Sequence, residues 1–410
     1  MTSAKIAPGT QAYRLLLIAM LLAGLATFAL LYSVQPLLPL FSHDYRVNAE
    51  EASLVVSLAT GPMAIALLAA GALSDRFGRR PLMIASLFSA AILTLLSAML
   101  PGWHMLLAMR LFTGVALAGI PAVAMAFIAE EVEDKAVGHA MGLYIAGSAI
   151  GGMSGRLVVS LITQYTGWRV AMAITGVLAL GIAIVFYRCI PASRHFVPRR
   201  QSLSGFLAGL QRLMADRAMP WLYAVSFLLM GAFISIYNYA GFRLLAPPYG
   251  LSQAAIGAIF LLYIIGSFSS AWIGGVAGRI GPRKTLWAPI ALFLVGIGLT
   301  AATPLPIVIF GIAVVTAGFF GAHSIASAWV GRRARADRAQ ASALYLFFYY
   351  MGSSLLGSAG GFAWTHALWP GVVLFAGALI VAALAISLRL SSVLPLAPDA
   401  KPVDTAIPVA

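Results

Sequence analysis

The chain has 410 residues, of which 61% are hydrophobic and 9% charged, against about 45–50% and 25% in soluble domains. So little charge could not cover a soluble surface, which excludes a cytosolic enzyme, a secreted domain and a disordered chain. The net charge of +14 and pI near 10.3 would point to nucleic acid in a soluble protein. Here the basic residues fall between apolar runs, so membrane topology accounts for them and no nucleic-acid partner is expected.

A bilayer-spanning helix takes about 20 apolar residues. Apolar runs fall at about 15–40, 53–74, 82–100, 105–129, 138–162 and 168–187, then at about 220–244, 256–276, 285–302, 306–329, 342–364 and 371–389. The expected fold is an all-α integral membrane protein of twelve transmembrane helices in two pseudo-symmetric six-helix bundles, 1–189 and 220–390. A cytoplasmic linker at 190–219 joins them, and a disordered cytoplasmic tail follows at 391–410. The first run follows Lys5 and Arg14 as in a signal peptide, but it continues without a clear small-residue cleavage site and is read as the first span. The single cysteine, Cys189, excludes an internal disulfide and a multi-cysteine metal site; no metal and no cofactor are expected. With the N-terminus inside, 21 of the 26 Lys and Arg fall in cytoplasmic segments. Arg46 and Arg169 fall outside and Arg243 near the outer edge. That bias places both termini in the cytoplasm.

In chain order, Tyr32 and Gln35 stand in the outer half of the first span. Between the second and third spans lies Gly71-Ala-Leu-Ser-Asp75-Arg76-Phe-Gly78-Arg79-Arg80. Gly71 permits close helix contact and Gly78 a sharp turn. Asp75 falls at the inner face, where the eleventh span begins and its positive dipole end should sit. Flanked by Arg76, Arg79 and Arg80, it makes a candidate latch that holds one conformation, against the plainer reading of a positive-inside hairpin. Arg110 in the fourth span lies about six residues, roughly 9 Å, inside the outer boundary, and Arg156 in the fifth span sits at similar depth. Buried arginine costs about 2.5–3.5 kcal/mol on the insertion scale, so both should face a cavity or bond to carbonyls. Glu130, Glu131, Glu133 and Asp134 cluster at the inner end of the fourth span, as latch partners or as a solvated acidic loop. In the linker Leu203, Phe206, Leu207, Leu210, Leu213 and Met214 share one helical face; the helix lies on the inner leaflet or packs on the protein. Tyr237, Asn238 and Tyr239 share the outer-half depth of Gln35. Tyr345, Tyr349 and Tyr350 stripe the eleventh span.

The halves repeat. Gly71-x-x-x-Asp75-Arg76-x-Gly78 recurs as Gly274-x-x-x-Gly278-Arg279-x-Gly281, an offset of 203. Gly147, Gly152 and Gly155 recur as Gly352, Gly357 and Gly360, an offset of 205, which also relates Tyr32 to Tyr237. Near-equal offsets indicate duplicated halves, with a ligand site at their interface near the midplane.

The Gly71–Arg80 segment resembles the signature of the major facilitator superfamily, and the six-plus-six plan extends the resemblance to nearly the whole chain. Gly24-Leu-Ala-Thr-Phe-Ala-Leu-Leu-Tyr32-Ser-Val-Gln35-Pro36, Gly142-Leu-Tyr-Ile-Ala-Gly147 and Gly151-Gly-Met-Ser-Gly155-Arg156 resemble the twelve-helix drug/proton antiporter group, close to the acriflavine-sensitivity exporters of bacterial inner membranes. The resemblance implies a monomeric multi-pass inner-membrane protein that works by alternating access, driven by proton re-entry. It associates Arg110, with Gly114, Ala118 and Gly119, with proton coupling, and an acid at Glu130 or Glu131 with the latch. The exporter pattern of the fifth helix survives in Gly147, Gly151, Gly152 and Gly155, but its proline is replaced by Gly152 and its last glycine by Arg156.

No Asp or Glu falls inside any span by this reading. Exporters of organic cations need a buried carboxylate, whereas here a cavity of Arg110, Arg156, Gln35, Tyr32, Tyr237 and Asn238 should prefer anions or neutral polar molecules. His323, the clearly intramembrane histidine, has an ordinary imidazole pKa of about 6.5 suited to a proton carrier, with a structural hydrogen bond as the alternative role; Asp75 is the other titratable candidate. The expectation is a proton-coupled exporter of small organic molecules, anionic or neutral. Alternatives are a proton symporter importing an organic anion or sugar, and a transport-dead receptor. No His-Glu-x-x-His, Gly-x-Ser-x-Gly or Gly-x-x-x-x-Gly-Lys-Ser/Thr sequence occurs, which disfavours an intramembrane enzyme and excludes an ATP-driven pump.

Overall fold

The computed structural model describes residues 5–196, 203–334 and 337–393; most of the expected tail, from residue 394, lies outside the described residues. Those residues are almost all helical: α1 (Gln11–Tyr45), α2 (Ala49–Phe77), α3 (Arg79–Met99), α4 (Trp103–Leu117), α5 (Ala124–Glu131), α6 (Asp134–Thr166), α7 (Trp168–Cys189), α8 (Leu203–Ala215) and α9 (Met219–Leu245). Then come α10 (Gln253–Ile280), α11 (Pro282–Thr300), α12 (Leu305–Arg333), α13 (Arg338–Met351), a π-helical turn (Gly352–Leu356) and α14 (Gly357–Ser391). Among the described residues ten stretches are long and apolar enough to cross a membrane; the fold is that of a multi-pass membrane protein.

Local chemistry sets the boundaries. Asn48 and Glu51 cap α2 reciprocally, each side chain accepting the other's backbone N–H at 2.7 and 3.0 Å, and Glu50 and Glu51 suit the positive dipole end. The sharp turn expected at Gly78 has φ +93°, and its repeat partner Gly281 has φ +100°, a region that favours glycine. The run expected at 105–129 is interrupted: turns replace the helix at 118–123, where Pro121 lacks a donor and its ring would crowd the carbonyl four residues back. α14 is also not one rod. Ala367 and Leu368 leave helical geometry, and a Cβ on Gly371 would fall on the Ala363 carbonyl, so the chain reverses before Trp369.

The helix ends sort onto two faces. One carries Lys5, the Asp75–Arg80 turn, residues 130–135, the linker, Arg283, Arg333 and Ser391. It is held by Lys5–Asp134 (3.1 Å), Arg79–Glu130 (2.9 Å), Arg212–Asp337 (2.8 Å), Arg333–Asp216 (2.6 Å) and Arg283 on the Ser391 carbonyl (2.7 Å). The opposite face carries Asp44 with Trp168 (2.8 Å) and Arg169 against the Ala98 carbonyl (3.2 Å). Also there, Arg243 reaches Ala302 O (2.7 Å) and Tyr249 (3.0 Å). These are the basic face and the far face. The linker helix packs on the second half of the chain: Leu213 is buried, Gln340 donates to Phe206 O at 2.8 Å, and Gly209 sits where a Cβ would strike Gln340. Leu207 and Met214 stay exposed.

Within each half, glycine lets one backbone touch another. Cβ atoms on Gly147 and Gly151 would fall on the Leu21 and Leu25 carbonyls, and one on Gly155 would lie 2.7 Å from the Ala29 Cα. In the second half a Cβ on Gly352 would fall on the Phe227 carbonyl, and one on Gly360 would lie 2.7 Å from the Ser235 hydroxyl. The repeated glycines thus make equivalent contacts, α1 with α6 and α9 with α13–α14.

Gly147→Leu and Gly352→Leu should each destabilise the fold by about 1–3 kcal/mol through overpacking, while Gly142→Leu, with open space at its Cβ, should not. Melting in detergent with equal midpoints for all three would refute this contact. Burial pulls the Asp216 carboxyl upward, but its bonds from Arg333, Ala218 and Met219 outweigh that and hold it below the usual carboxylate range. A depressed carboxylate stabilises above its unfolded pKa and loses that contribution as pH falls through the folded value. Docking of the linker should therefore be intact at neutral pH and loosen only below about pH 4. Asp216→Asn should speed trypsin cleavage at Arg212 and Arg217 at neutral pH.

Candidate functional site

Three interruptions of regular helix converge at one depth. α1 tightens into a 3₁₀ turn at Gln35–Leu37, α10 does so at Phe260–Leu262, and the π turn occupies Gly352–Leu356. Such turns often mark hinges and functional sites. Arg156 of α6 lies among them, 1% exposed. Its Nε donates to Gln35 Oε1 at 2.7 Å and its Nη1 to Gly152 O at 2.5 Å. The guanidinium carbon stands 4.4 Å from the Tyr32 ring centroid, 4.9 Å from Phe260 and 5.1 Å from Tyr263. No carboxylate pairs with it among the described residues. Each ring facing a desolvated cation is worth about 2 kcal/mol, so three rings and two hydrogen bonds offset much of the several kcal/mol that a buried ion costs.

Gln35 passes the contact across the halves: its Nε2 donates to Asn238 Oδ1 of α9 at 2.8 Å. Around this chain Asn238 Nδ2 is buried without a partner among the described residues, whereas the Tyr32 hydroxyl faces Ser353. An unmade buried hydrogen bond costs about 1–3 kcal/mol, so an acceptor placed at Asn238 Nδ2 would be favoured. Donors, hydroxyls and a stacked guanidinium without a carboxylate form a site for an acceptor-bearing ligand.

The two halves of the chain join toward the far face. Ser53 and Ser57 of α2 meet Ser358 at 2.9 and 2.5 Å, and Ser354 donates to Ser57 O at 2.9 Å. Gln253 donates to Pro36 O at 2.8 Å, and Ala254 N to Gln164 Oε1 at 3.2 Å. Gln35–Asn238, Tyr32–Ser353 and Ser53–Tyr239 add to these side-chain hydrogen bonds between the halves, and among the described residues none of them lies at the basic face.

The other candidate residues go elsewhere. Arg110 is equally buried, but it donates to Leu30 O (3.0 Å), Leu31 O (2.5 Å) and Val55 O (3.0 Å). It clamps α1 and α2 together instead of joining the Arg156 cluster. Tyr237 is the exception, since it packs on Phe260 and Tyr263 behind Arg156, although its hydroxyl bonds to Thr316 Oγ1 at 2.7 Å. His323 meets the Tyr345 hydroxyl at 3.0 Å and lies among Phe319, Tyr345 and Tyr349. At the basic face Asp75 pairs with Arg79 at 2.8 Å, and Arg79 with Glu130. In this conformation Asp75 therefore contacts its own half, not the start of α13. Arg80 donates to Ile190 O (3.2 Å) and Arg76 stacks on Phe77. Glu131 stands apart from this cluster and holds the root of the linker, accepting from Arg194 N at 2.7 Å, His195 N at 2.9 Å and Ser193 Oγ at 3.1 Å. Sequence reasoning passed over the serines, although Ser53/Ser57 and Ser354/Ser358 both stand four apart, on one helical face. It also passed over Phe260 and Tyr263.

The Major Facilitator Superfamily description matches residues 16–274. A Bacillus subtilis (strain 168) protein named as an MFS-type transporter, YybF, is 44% identical over 368 residues, 90% of this chain and 91% of that one. The Escherichia coli (strain K12) inner membrane transport protein YnfM is 41% identical over 387 residues, 93% and 92% of the two chains. Among solved structures, a bacterial homologue of the human lysosomal transporter Spinster, inward-facing and unoccupied, shares the fold at TM-score 0.73 and 16% identity, covering 93% of this chain and 97% of that one. The nucleoside transporter NupG does so at 0.76 and 17%, covering 92% and 99%. The chain belongs to the Major Facilitator Superfamily, a family of membrane transporters.

Proposed function

We propose that the chain is a secondary active transporter that exports small organic anions or neutral polar molecules in exchange for protons, working as a monomer by alternating access. In this reading twelve helices cross a bacterial inner membrane: the reversal at Ala367–Leu368 divides one apolar stretch into two spans, and α4 with α5 makes another. Residues 1–189 and 220–390 are the moving bundles. The basic face is the cytoplasmic one, because it collects the Lys and Arg. The observation that carries the reading is Arg156, a buried cation with no carboxylate partner among the described residues, placed where the two halves meet. A fixed positive charge in a low-dielectric site selects an anion or a hydrogen-bond acceptor and repels a cation.

The mechanism follows from the contacts. In this reading the serine contacts and the Gln35–Asn238 bridge hold the outer side, and a ligand comes to Arg156 from the cytoplasm when the contact of α2 with α13 parts. An anion on Arg156 competes with Gln35 for the guanidinium. That weakens the bridge and favours parting of the outer seam. As it parts, the Asp75 turn becomes free to meet the start of α13. His323, hydrogen-bonded to Tyr345, is the proton carrier in this reading, with Asp75 as the second titrating group. One observation favours the reverse direction: Gly152 and Arg156 replace the proline and glycine of the exporter pattern, which supports anion import with a proton as the second reading.

The test is uptake into inverted membrane vesicles of size-matched anionic, neutral and cationic compounds, with and without a proton gradient. Uncoupler-sensitive accumulation of an anion or neutral compound is expected, and preference for a permanent cation refutes the charge reading. Arg156→Gln should weaken anion transport about 10–100-fold, the 1.5–3 kcal/mol of a charged hydrogen bond. Gln35→Glu puts a carboxylate beside Arg156 and should abolish the preference for anions. His323→Gln should flatten the pH dependence of uptake while leaving ligand binding intact; an unchanged pH profile removes His323 from coupling.

A further inference from the structure

Between α6 of the first half and α10 of the second lies a cleft of about 340 Å³, within the size range of small-molecule sites. Ala149, Ile150 and Met153 form one wall, and Tyr263, Ser267 and Phe268 belong to the other. At its mouth Ile150 is 44% and Phe268 74% exposed, so it opens on apolar surface. Of the two hydroxyl-bearing residues that line it, Tyr263 and Ser267, the second spends its hydroxyl on the Tyr263 carbonyl at 3.1 Å. The inner end is different. Tyr263 is 8% exposed and is also one of the three rings on Arg156, at 5.1 Å; Met153 stands one turn before Arg156. An apolar slot therefore shares Tyr263 with a buried cation that has no carboxylate partner among the described residues.

We propose that this seam is the binding site for the apolar portion of an amphiphilic anion, a lipophilic carboxylate whose charged head lies on Arg156 and whose tail lies between α6 and α10, open to the hydrocarbon. This rests on Arg156 as the ligand's anchor and adds the class of ligand. The charge at the inner end decides among occupants. An amphiphilic cation meets Arg156 head-on, an apolar alcohol leaves the guanidinium without an anion, and a short hydrophilic anion leaves the apolar walls unused. Because the walls come from opposite halves, the tail bridges them toward the basic face, where no side-chain hydrogen bond joins them among the described residues.

The experiment is binding of radiolabelled decanoate to the purified full-length chain in phosphatidylcholine nanodiscs, with decanol and decyltrimethylammonium as competitors. Saturable decanoate binding is expected, displaced at least tenfold less well by the other two. Arg156→Gln should weaken it at least tenfold. So should Ala149→Leu and Ala271→Leu, which fill the seam from either side; their melting temperatures report whether they remain folded. If the seam variants bind decanoate normally while Arg156→Gln does not, the seam is overturned and the anion reading stands. Absence of decanoate binding to the unaltered chain also overturns the seam alone. If Arg156→Gln binds normally, or decyltrimethylammonium competes as well as decanoate, both are overturned.

Discussion

A backbone carbonyl of one helix, lying where a neighbour's side chain would begin, is the contact on which the arrangement of this protein rests. In hydrocarbon, apolar side chains gain nothing by leaving lipid for protein, so close packing must hold the helices. Gly147 and Gly151 on the Leu21 and Leu25 carbonyls fix the register of α6 against α1. That register brings Arg156 to Gln35 and Tyr32. Gly352 and Gly360 against Phe227 and Ser235 fix the second half in the same way, and the face of α9 that carries Asn238 meets Gln35 as a result.

Two deep arginines and a third at the far face show how much the same residue type can differ in role. Arg110 reaches three carbonyls, and Arg243 reaches Thr300 O, Ala302 O and the Tyr249 hydroxyl. Both are satisfied by backbone and a phenol, and their work is to staple helices. Arg156 has one carbonyl, one amide and three ring faces. Its positive charge is held by side chains from both halves and has no carboxylate partner among the described residues.

Much of the architecture was legible because membrane constraints are coarse: apolar run length, basic residues between runs, and glycine at a repeated offset. The turn at Gly78 and the glycine contacts of α6 and α13–α14 could be read from residue type alone. The Arg110 assignment could not, because depth is set by position along a helix, whereas the choice between carbonyl and cavity is set by rotation about it. The role of Glu131 was hidden for a similar reason. Two of its partners are backbone N–H groups of the linker root, beside Ser193 and His195 side chains, and backbone donors carry no sequence signature. The serines of the seam were passed over because a hydroxyl in a membrane helix usually bonds to its own backbone, as Thr27 and Thr94 do here.

The seam at the far face is built from hydroxyls and amides, while the basic face is built from ion pairs. Neutral hydrogen bonds between membrane helices are worth about 0.6 kcal/mol each, so a handful of them amounts to only a few kcal/mol. That is on the scale of a two-state equilibrium which a ligand can tip. It is also a strength that ionic strength leaves almost unchanged, since no net charge is there to be screened. The basic face, where a Debye length of about 8 Å applies at physiological salt, answers to its medium. One side of the molecule is thus tuned by the electrolyte it meets, and the other keeps nearly the same resistance to opening in fresh water and in brine.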